Sequence, residues 1–422
     1  MKILNLSSFD TSGGAARGAY RTHQGFEKIG IDSQMFVQYK TGDSQTVFTA
    51  QNKLIRKLQS MGDSFPLQFA GNSQYFFSLQ WFPGSVASLI ARLNPDVINL
   101  HWICNGFLPI EAIAKLNKPL VWTLHDMWPF TGGCHYSYSC DRYLSGCGNC
   151  PQLNSHSDRD LSSWVWQRKA KAWQNLSLTL IAPSTWMAEC ASASPLFAGL
   201  KIVTIPFGLD TNIYTPSDRK LAREILKLPQ EKHLILFGAI AALKDERKGF
   251  PLLQKALQKL SQAGWQDKLE LVIFGSSASS DRLDLDFKTH NLGHINDEKI
   301  LRLAYSAVDA TLAPSTQEAF GQIASEALAC GTPVVAFERT GLADIVDSHQ
   351  NGYLAKYGDI EDLARGIAWI LEDKDGDRQQ KLRHFARLKA ETEFAMEVQA
   401  RRYVALFEEI LDKSQKSEVI SN

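Results

Sequence analysis

Ser315-Thr316-Gln317-Glu318-Ala319-Phe320-Gly321-Gln322-Ile323-Ala324-Ser325-Glu326-Ala327-Leu328-Ala329-Cys330-Gly331-Thr332-Pro333-Val334-Val335 sets two carboxylates around the start of a helix that runs into a buried strand. Ala310 to Ala313 ends the preceding strand, and Pro314-Ser315-Thr316 makes a loop. Phe320 to Cys330 is good helix sequence, Gly331 suits the left-handed residue that closes a helix, and Pro333 stops it. Val334 to Phe337 reads as a strand buried on both faces. In such a strand–loop–helix unit the first helical turn presents backbone N–H groups that can hold an anion such as a phosphate. Glu318 in the loop then flanks the anion, and Glu326, about a turn and a half into the helix, reaches hydroxyls on the attached sugar. The plainer alternative is one capping glutamate and one surface glutamate. The Phe-Gly and Cys-Gly-Thr-Pro frame argues against it.

On either side of this stretch, strand-like runs alternate with helical ones. Ile3–Leu6, Asp96–Leu100, Leu120–Leu124 and Leu178–Ala182 are strands of a first half. Leu234–Gly238, Leu269–Phe274, Ala310–Ala313 and Pro333–Phe337 belong to a second. Amphipathic segments such as Leu252–Ala263 and Asp297–Tyr305 fall between them. The alternation predicts an α/β protein with parallel sheets covered by helices on both faces. The 422 residues exceed one ordinary core, so two domains are expected. They are an N-terminal domain over 1–206 and a second over 207–392, with a helix over 393–412 packing back on the first and a polar tail over 413–422.

Composition narrows the function. Forty-five basic residues balance 45 acidic ones, so no bulk charge draws the chain to nucleic acid. The apolar start Met1-Lys2-Ile3-Leu4 is broken by Asn5, Ser7, Ser8 and Asp10, against a signal peptide. No window approaches the roughly 18 uninterrupted apolar residues of a spanning helix. A cytoplasmic protein is expected, with peripheral contact at the inner membrane face left open. The basic, amphipathic Asn52-Lys53-Leu54-Ile55-Arg56-Lys57-Leu58 could touch anionic lipid, or be an ordinary surface helix.

Further motifs lie in order along the chain. Thr11-Ser12-Gly13-Gly14-Ala15-Ala16 joins the first strand to a helix-like segment. Its small residues allow close approach of a ligand, or simply make a tight turn. It is not Gly-x-Gly-x-x-Gly, which disfavours a nicotinamide cofactor. Thr123-Leu124-His125-Asp126 ends a strand, as does His101, and the carboxyl ends of parallel strands open onto the ligand crevice of such folds. Ala182-Pro183-Ser184-Thr185-Trp186 and Pro206-Phe207-Gly208-Leu209-Asp210 lead into the linker, and Arg247-Lys248-Gly249-Phe250 precedes a helix.

Together these motifs, with Glu318 to Phe337, resemble family 4 of the retaining glycosyltransferases (glycosyl transferases group 1), and the resemblance covers nearly the whole chain. It implies a GT-B fold, two Rossmann-like domains facing a central cleft, and transfer from a nucleotide diphosphate sugar to a glycan or lipid-linked saccharide in cell-surface or exopolysaccharide synthesis. Implied catalytic residues are Glu318 near the donor sugar, His125 near a sugar hydroxyl, and Lys248 on the diphosphate. Implied donor-binding residues are Gly13, Gly14, Arg247, Phe320, Gly321 and Gln322, with Glu326 on the ribose. His101 and Asp126 fall on the acceptor side. The chain departs from the family where an arginine usually stands before the lysine. Ala242 and Leu243 occupy those positions, leaving Lys244 or Arg247 to substitute. The resemblance implies no cofactor for the chemistry. An epimerase or a phosphorylase on the same scaffold, or a non-catalytic sugar-nucleotide-binding protein, is the alternative.

Two features stand apart. Cys134, Cys140, Cys147 and Cys150 could form a structural zinc knuckle, with His135 as a substitute ligand. Cys104, Cys190 and Cys330 read as packing residues. Asp284-Leu285-Asp286 spells a metal motif of another glycosyltransferase fold but lies in a polar stretch, and is read as a solvated loop.

Overall fold

A computed structural model describes residues 1–49, 52–70, 75–238, 245–275, 286–373 and 375–421, with side chains as far as Lys413. Ala242, Leu243, Lys244, Asp284 and Leu285 lie outside the described residues. The chain divides into two compact units, Met1–Gly208 with Gln399–Asn422, and Leu209–Val398.

The first unit holds seven strands: β1 (Lys2–Phe9), β2 (Asp32–Tyr39), β3 (Val47–Phe48), β4 (Val97–Leu100), β5 (Leu120–Thr123), β6 (Leu178–Ala182) and β7 (Lys201–Thr204). They form one sheet in the order β3-β2-β1-β4-β5-β6-β7, every pairing parallel. Parallel strands need crossovers, which lay helices on both faces and bury the central strands completely. One such layer packs Phe26 of helix Gly14–Lys28 with Tyr403 and Phe407 of the C-terminal helix Met396–Ser421 against Ile3, Val97, Val121 and Ile181. Each such large side chain contributes about 1.5–3 kcal/mol on burial.

The second unit holds β8 (His233–Gly238), β9 (Leu269–Phe274), β10 (Thr289–Asn291), β11 (Ala310–Ala313), β12 (Val334–Phe337) and β13 (Gly352–Ala355). Their order is β10-β9-β8-β11-β12-β13, again parallel throughout. Helices Phe250–Leu260 and Ile360–Leu371 supply Leu253, Leu257, Leu363 and Ile367 to its core.

These orders set where crevices open at the strand ends. In each sheet the strand order reverses once, between β1 and β4 in the first unit and between β8 and β11 in the second. At such a switch point the two following loops diverge and leave a crevice outside the strand ends. The loops concerned begin at Asp10 and His101 in one unit. In the other they carry Lys248 and Glu318.

Candidate active site

The second unit's site is built from β11, the loop 314–321 and the helix Gln322–Ala329. The helix starts two residues later than its composition suggests, because Gly321 has φ +112° and holds the chain in a turn. A Cβ at Gly321 would collide with Leu342, so the turn needs glycine twice over. The helix ends as expected. Gly331 has φ +70°, and the Thr332 and Gly331 amides donate to the carbonyls of Ala327 and Leu328. Glu326 is therefore the fifth residue of the helix, one turn in.

Lys248 arrives at this loop from residues 70 positions away in sequence. Its Nζ donates to Glu318 Oε2 at 2.5 Å, with Ser315 Oγ at 3.5 Å from the same oxygen. Arg247 Nη1 donates to the Gln317 carbonyl at 3.1 Å, and the Thr316 amide donates to the Arg247 carbonyl at 2.7 Å. The two loops thus zip together. Gly249, at φ +72°, permits the approach, since a Cβ there would strike the Pro314 carbonyl. Burial pushes the Glu318 carboxyl up, but Lys248 and Arg247 with the hydrogen bonds from Lys248 and Ser315 outweigh it and hold it below the ordinary glutamate value. Glu318 is an anion in a cationic frame. The first helical turn beyond Gly321 adds the positive end of the helix dipole.

Glu326 is 4 % exposed, and its Oε2 accepts from the Tyr305 hydroxyl at 2.8 Å. A carboxylate oxygen can accept a second hydrogen bond, so Tyr305 orients Glu326 without consuming it. Burial and the Glu326 carboxylate push the Tyr305 phenol well up, so it stays a donor. Tyr305 carries no motif. Its only signal is its position on an amphipathic helix. The Phe320 side chain is buried and packs edge-on against Phe394, so what Phe320 can offer a ligand is backbone.

In the first unit, Gly13 (φ +94°) and Gly14 open the helix Gly14–Lys28, and a Cβ at either would meet nothing within 4 Å. The loop is anchored by Asp10, whose carboxylate accepts from the amides of Thr11, Thr41 and Gly42. Burial raises the Asp10 carboxyl, but these amides and the Thr41 hydroxyl bring it net below its ordinary value. Nothing in the sequence pattern singles out Asp10 beyond its place at the strand end.

His101 and His125 lie side by side, with Nδ1 of the first 3.0 Å from Nε2 of the second. His101 is only 2 % exposed, and its Nε2 lies 3.0–3.1 Å from Asn99 and Asn5. Thr123 and Tyr403 continue that chain inward. His101 is thus an interior group behind His125 rather than a surface contact. His125 stacks on Phe207 at 4.8 Å, and its Nδ1 has no partner among the described residues. Burial lowers His125 to about 4 against the opposing pull of Asp126, so it is neutral at pH 7. Among the described residues Asp126 makes no hydrogen bond to His125 and is engaged elsewhere. Its Oδ2 accepts from His135 Nδ1 at 2.6 Å and Trp102 Nε1 at 2.8 Å, and its Oδ1 from the Trp128 amide at 2.9 Å.

The zinc knuckle finds no support. Among the described residues no group of three or more His, Cys, Asp or Glu side chains is arranged to hold a metal ion. Cys134, Cys140, Cys147 and Cys150 are free thiols around one small cavity shared with Gly132 and Tyr143. Burial raises Cys134 and Cys150 and pushes Cys147 up to about 12, so all three are packed as neutral thiols in this structure. The proposed substitute ligand, His135, is tied through Nδ1 to Asp126 and through Nε2 to Ser78. Cys104 and Cys330 are packed in the interior, and Cys190 is half-buried beside Tyr143.

The profile described as Glycosyltransferase Family 4 matches residues 12–213, and that described as Glycosyl transferases group 1 matches residues 218–389. The chain is 26% identical over 361 residues to WcaC of Escherichia coli strain K12, named as a colanic acid biosynthesis glycosyl transferase, covering 80% of this chain and 83% of WcaC. It is 32% identical over 185 residues to D-inositol 3-phosphate glycosyltransferase 2 of Catenulispora acidiphila, where the match spans 41% of this chain and 43% of that protein. Among solved structures, sucrose-phosphate synthase from Thermosynechococcus elongatus superposes with a TM-score of 0.68 at 19% identity, covering 98% of this chain and all of that one. HepE of Anabaena, solved with UDP and glucose, gives 0.61 at 19% identity over 97% and 99%. At such identities these two likenesses speak to the fold alone. The two profiles reach between them from residue 12 to residue 389, on two parallel-sheet units of Rossmann type. The chain belongs to the family 4 glycosyltransferases and has the GT-B fold.

Proposed function

We propose that the protein transfers a sugar from a nucleoside diphosphate sugar to a glycan or lipid-linked saccharide, with retention at the anomeric carbon, on the cytoplasmic side of cell-surface polysaccharide synthesis. The single observation that carries the donor reading is the Lys248–Glu318 pair at the β8/β11 switch point, set beside a helix start and one helical turn from the buried Glu326. Lys248 has three donors, of which Glu318 takes one, so the ammonium can also hold a diphosphate. Arg247 and the helix start add positive charge where the leaving group gains negative charge. Glu326, oriented by Tyr305, accepts from the ribose hydroxyls.

Glu318 is held ionised, so it is no general acid. Its place is beside the donor sugar, orienting it and balancing positive charge at the anomeric carbon. In the step we favour, the bond from that carbon to the diphosphate oxygen breaks while the acceptor oxygen adds on the same face. The acceptor proton passes to the departing phosphate oxygen. The protein's share is positioning and stabilisation of the leaving charge. His125, neutral and with Nδ1 unpartnered among the described residues, is the side chain available to a sugar hydroxyl. His101 and the asparagines behind it fix its ring. HepE was solved with UDP, which makes uridine nucleotide sugars the first donors to try.

The test is turnover with a panel of labelled uridine, guanosine and adenosine diphosphate sugars and oligosaccharide or lipid-linked acceptors. Acceptor-dependent product with retained anomeric configuration is expected. An isomerised nucleotide sugar formed without acceptor would point to an epimerase instead, and binding without turnover on any donor would point to a non-catalytic protein.

A further inference from the structure

The helix Lys53–Ser64 lies on the first unit with its polar side inward. Arg56, Gln59 and Asp63, spaced at helical period, are buried. Arg56 Nη1 donates to the Gln38 carbonyl at 2.6 Å, and its guanidinium lies over the Tyr39 ring. Ser60 Oγ donates to Asn105 at 2.7 Å, and Asp63 Oδ1 accepts from the Trp81 amide at 2.9 Å. Glycines make the close seat possible. A Cβ at Gly106 would collide with the Gln59 carbonyl, and one at Gly62 with the Phe82 ring. The helix is therefore locked against rotation.

Its apolar side consequently faces outward. Leu54 (64 % exposed), Ile55, Leu58 and Met61 (58 %) continue into the turn Phe65–Phe69, where Phe65 and Phe69 (77 %) are also exposed. An amphipathic helix normally buries this stripe. A soluble protein leaves so large a contiguous apolar surface open only where something covers it. The same face is cationic. Lys53 and Lys57 are exposed on it, and Asp63, the one acid between Asn52 and Ala70, is turned inward. Beside Phe69 a cavity of about 640 Å³ is lined by Leu153, Arg159, Trp164 and Asp160, whose carboxylate is engaged by the Ser162 and Ser163 amides. Exposed leucine, phenylalanine and tryptophan framed by lysine and arginine is the pattern of a helix that lies in the plane of an anionic bilayer. A second copy fits less well, because a two-fold contact would set lysines against lysines.

We propose that the face formed by Leu54, Ile55, Leu58, Met61, Phe65 and Phe69 seats the protein on an anionic lipid bilayer, with Lys53 and Lys57 at the headgroup phosphates. This goes beyond the donor reading and does not depend on it. No helix among the described residues is long and apolar enough to cross a membrane, so the attachment is peripheral.

The experiment is flotation of the full chain with vesicles of phosphatidylcholine alone or mixed with phosphatidylglycerol. Wild type is expected to float with the mixed vesicles and to be released by 0.5 M (roughly) salt, where the Debye length falls to a few ångströms. Lys53→Gln/Lys57→Gln is expected to weaken binding roughly thirtyfold. Leu58→Glu/Met61→Glu is expected to weaken it by about a hundredfold or more. Both variants alter exposed side chains and should melt with the wild type. Absence of vesicle binding by wild type overturns the proposal, as does equal binding by the variants or equal binding to neutral vesicles. A wild-type dimer in light scattering that Leu58→Glu/Met61→Glu dissolves, without vesicle binding, assigns the face to a second copy and also overturns it. Nucleoside diphosphate binding, measured on the same variants, is expected to stay as in wild type.

Discussion

Lys248 separates a structural ion pair from a donor-binding one. In Lys248→Met the ammonium is gone and, among the described residues, Glu318 keeps the long contact to Ser315 and the field of Arg247. The pair is short, at 2.5 Å, but its side chains are 22% and 15% exposed, so water screens part of the interaction. Between an exposed pair, worth 0–1 kcal/mol, and a buried one, whose breaking costs several, the loss is about 1–2 kcal/mol. For a unit of this size that lowers Tm by about 2–8 °C. Turnover should fall far more, by about 100- to 1,000-fold, because a donor to the developing leaving-group charge is worth about 3–4 kcal/mol in the barrier. The double variant Lys248→Met/Glu318→Gln removes both charges and should regain most of the Tm while turnover stays lost. Calorimetric melting and release of nucleoside diphosphate from the preferred donor read the two effects separately. Turnover within threefold of wild type in Lys248→Met would show that the ammonium does not stabilise the leaving group. So would recovery of turnover together with Tm in the double variant.

Three further outcomes are expected. Tyr305→Phe takes a hydrogen bond from the buried Glu326, which should cost about 1–2 kcal/mol of stability and raise KM for the donor with kcat nearly kept; a fall in kcat at unchanged KM would contradict the ribose role. Because His125 has its pKa lowered to about 4 by burial, rate profiles should show no limb between pH 5.5 and 8 (roughly) that His125→Asn removes. The same shift means stability contributed by neutral His125 is lost as pH falls from the unfolded value near 6.5 toward 4 (about). Lys169 is fully buried against Trp128, donates to the carbonyls of Trp128 and Thr131, and is lowered by burial from 10.5 to about 7. Above that value the unfolded chain binds the extra proton, so stability should rise between pH 7 and 8.5 by up to about 1.4 kcal/mol per pH unit. Lys169→Met should flatten that slope in chemical denaturation, and an unchanged slope would show the charge to be compensated.

Pattern reading reached the architecture because buried parallel strands are short apolar runs. β6, β9 and β11 fall where their composition puts them. It passed over β2, β3, β7, β10 and β13. β3 and β10 are edges of two and three residues, β7 is an edge with Lys201 and Thr204 exposed, and β13 begins at a glycine. Such strands are specified by what pairs beside them, not by their own hydropathy. The carboxylate–helix–carboxylate frame was readable because its parts are local. The partners were not. Lys248 meets Glu318 across 70 residues, Tyr305 meets Glu326 across 21, and Asp126 turns to His135 rather than to its neighbour. Helical period likewise reveals that Lys53–Ser64 has two faces and is silent on which one turns inward; tertiary hydrogen bonds from Arg56, Ser60 and Asp63 decide it.

The loops carrying Lys248 and Glu318, with Glu326, are proposed as a nucleoside diphosphate site. A melting screen with uridine, guanosine and adenosine diphosphates, on wild type and on Lys248→Ala and Glu326→Ala, is the decisive measurement. One nucleotide is expected to raise the wild-type Tm, with about 2.7 kcal/mol of stabilisation at a hundred times Kd, and each variant is expected to lose most of that rise. No shift with any of the three nucleotides, or an equal shift in wild type and both variants, would contradict it.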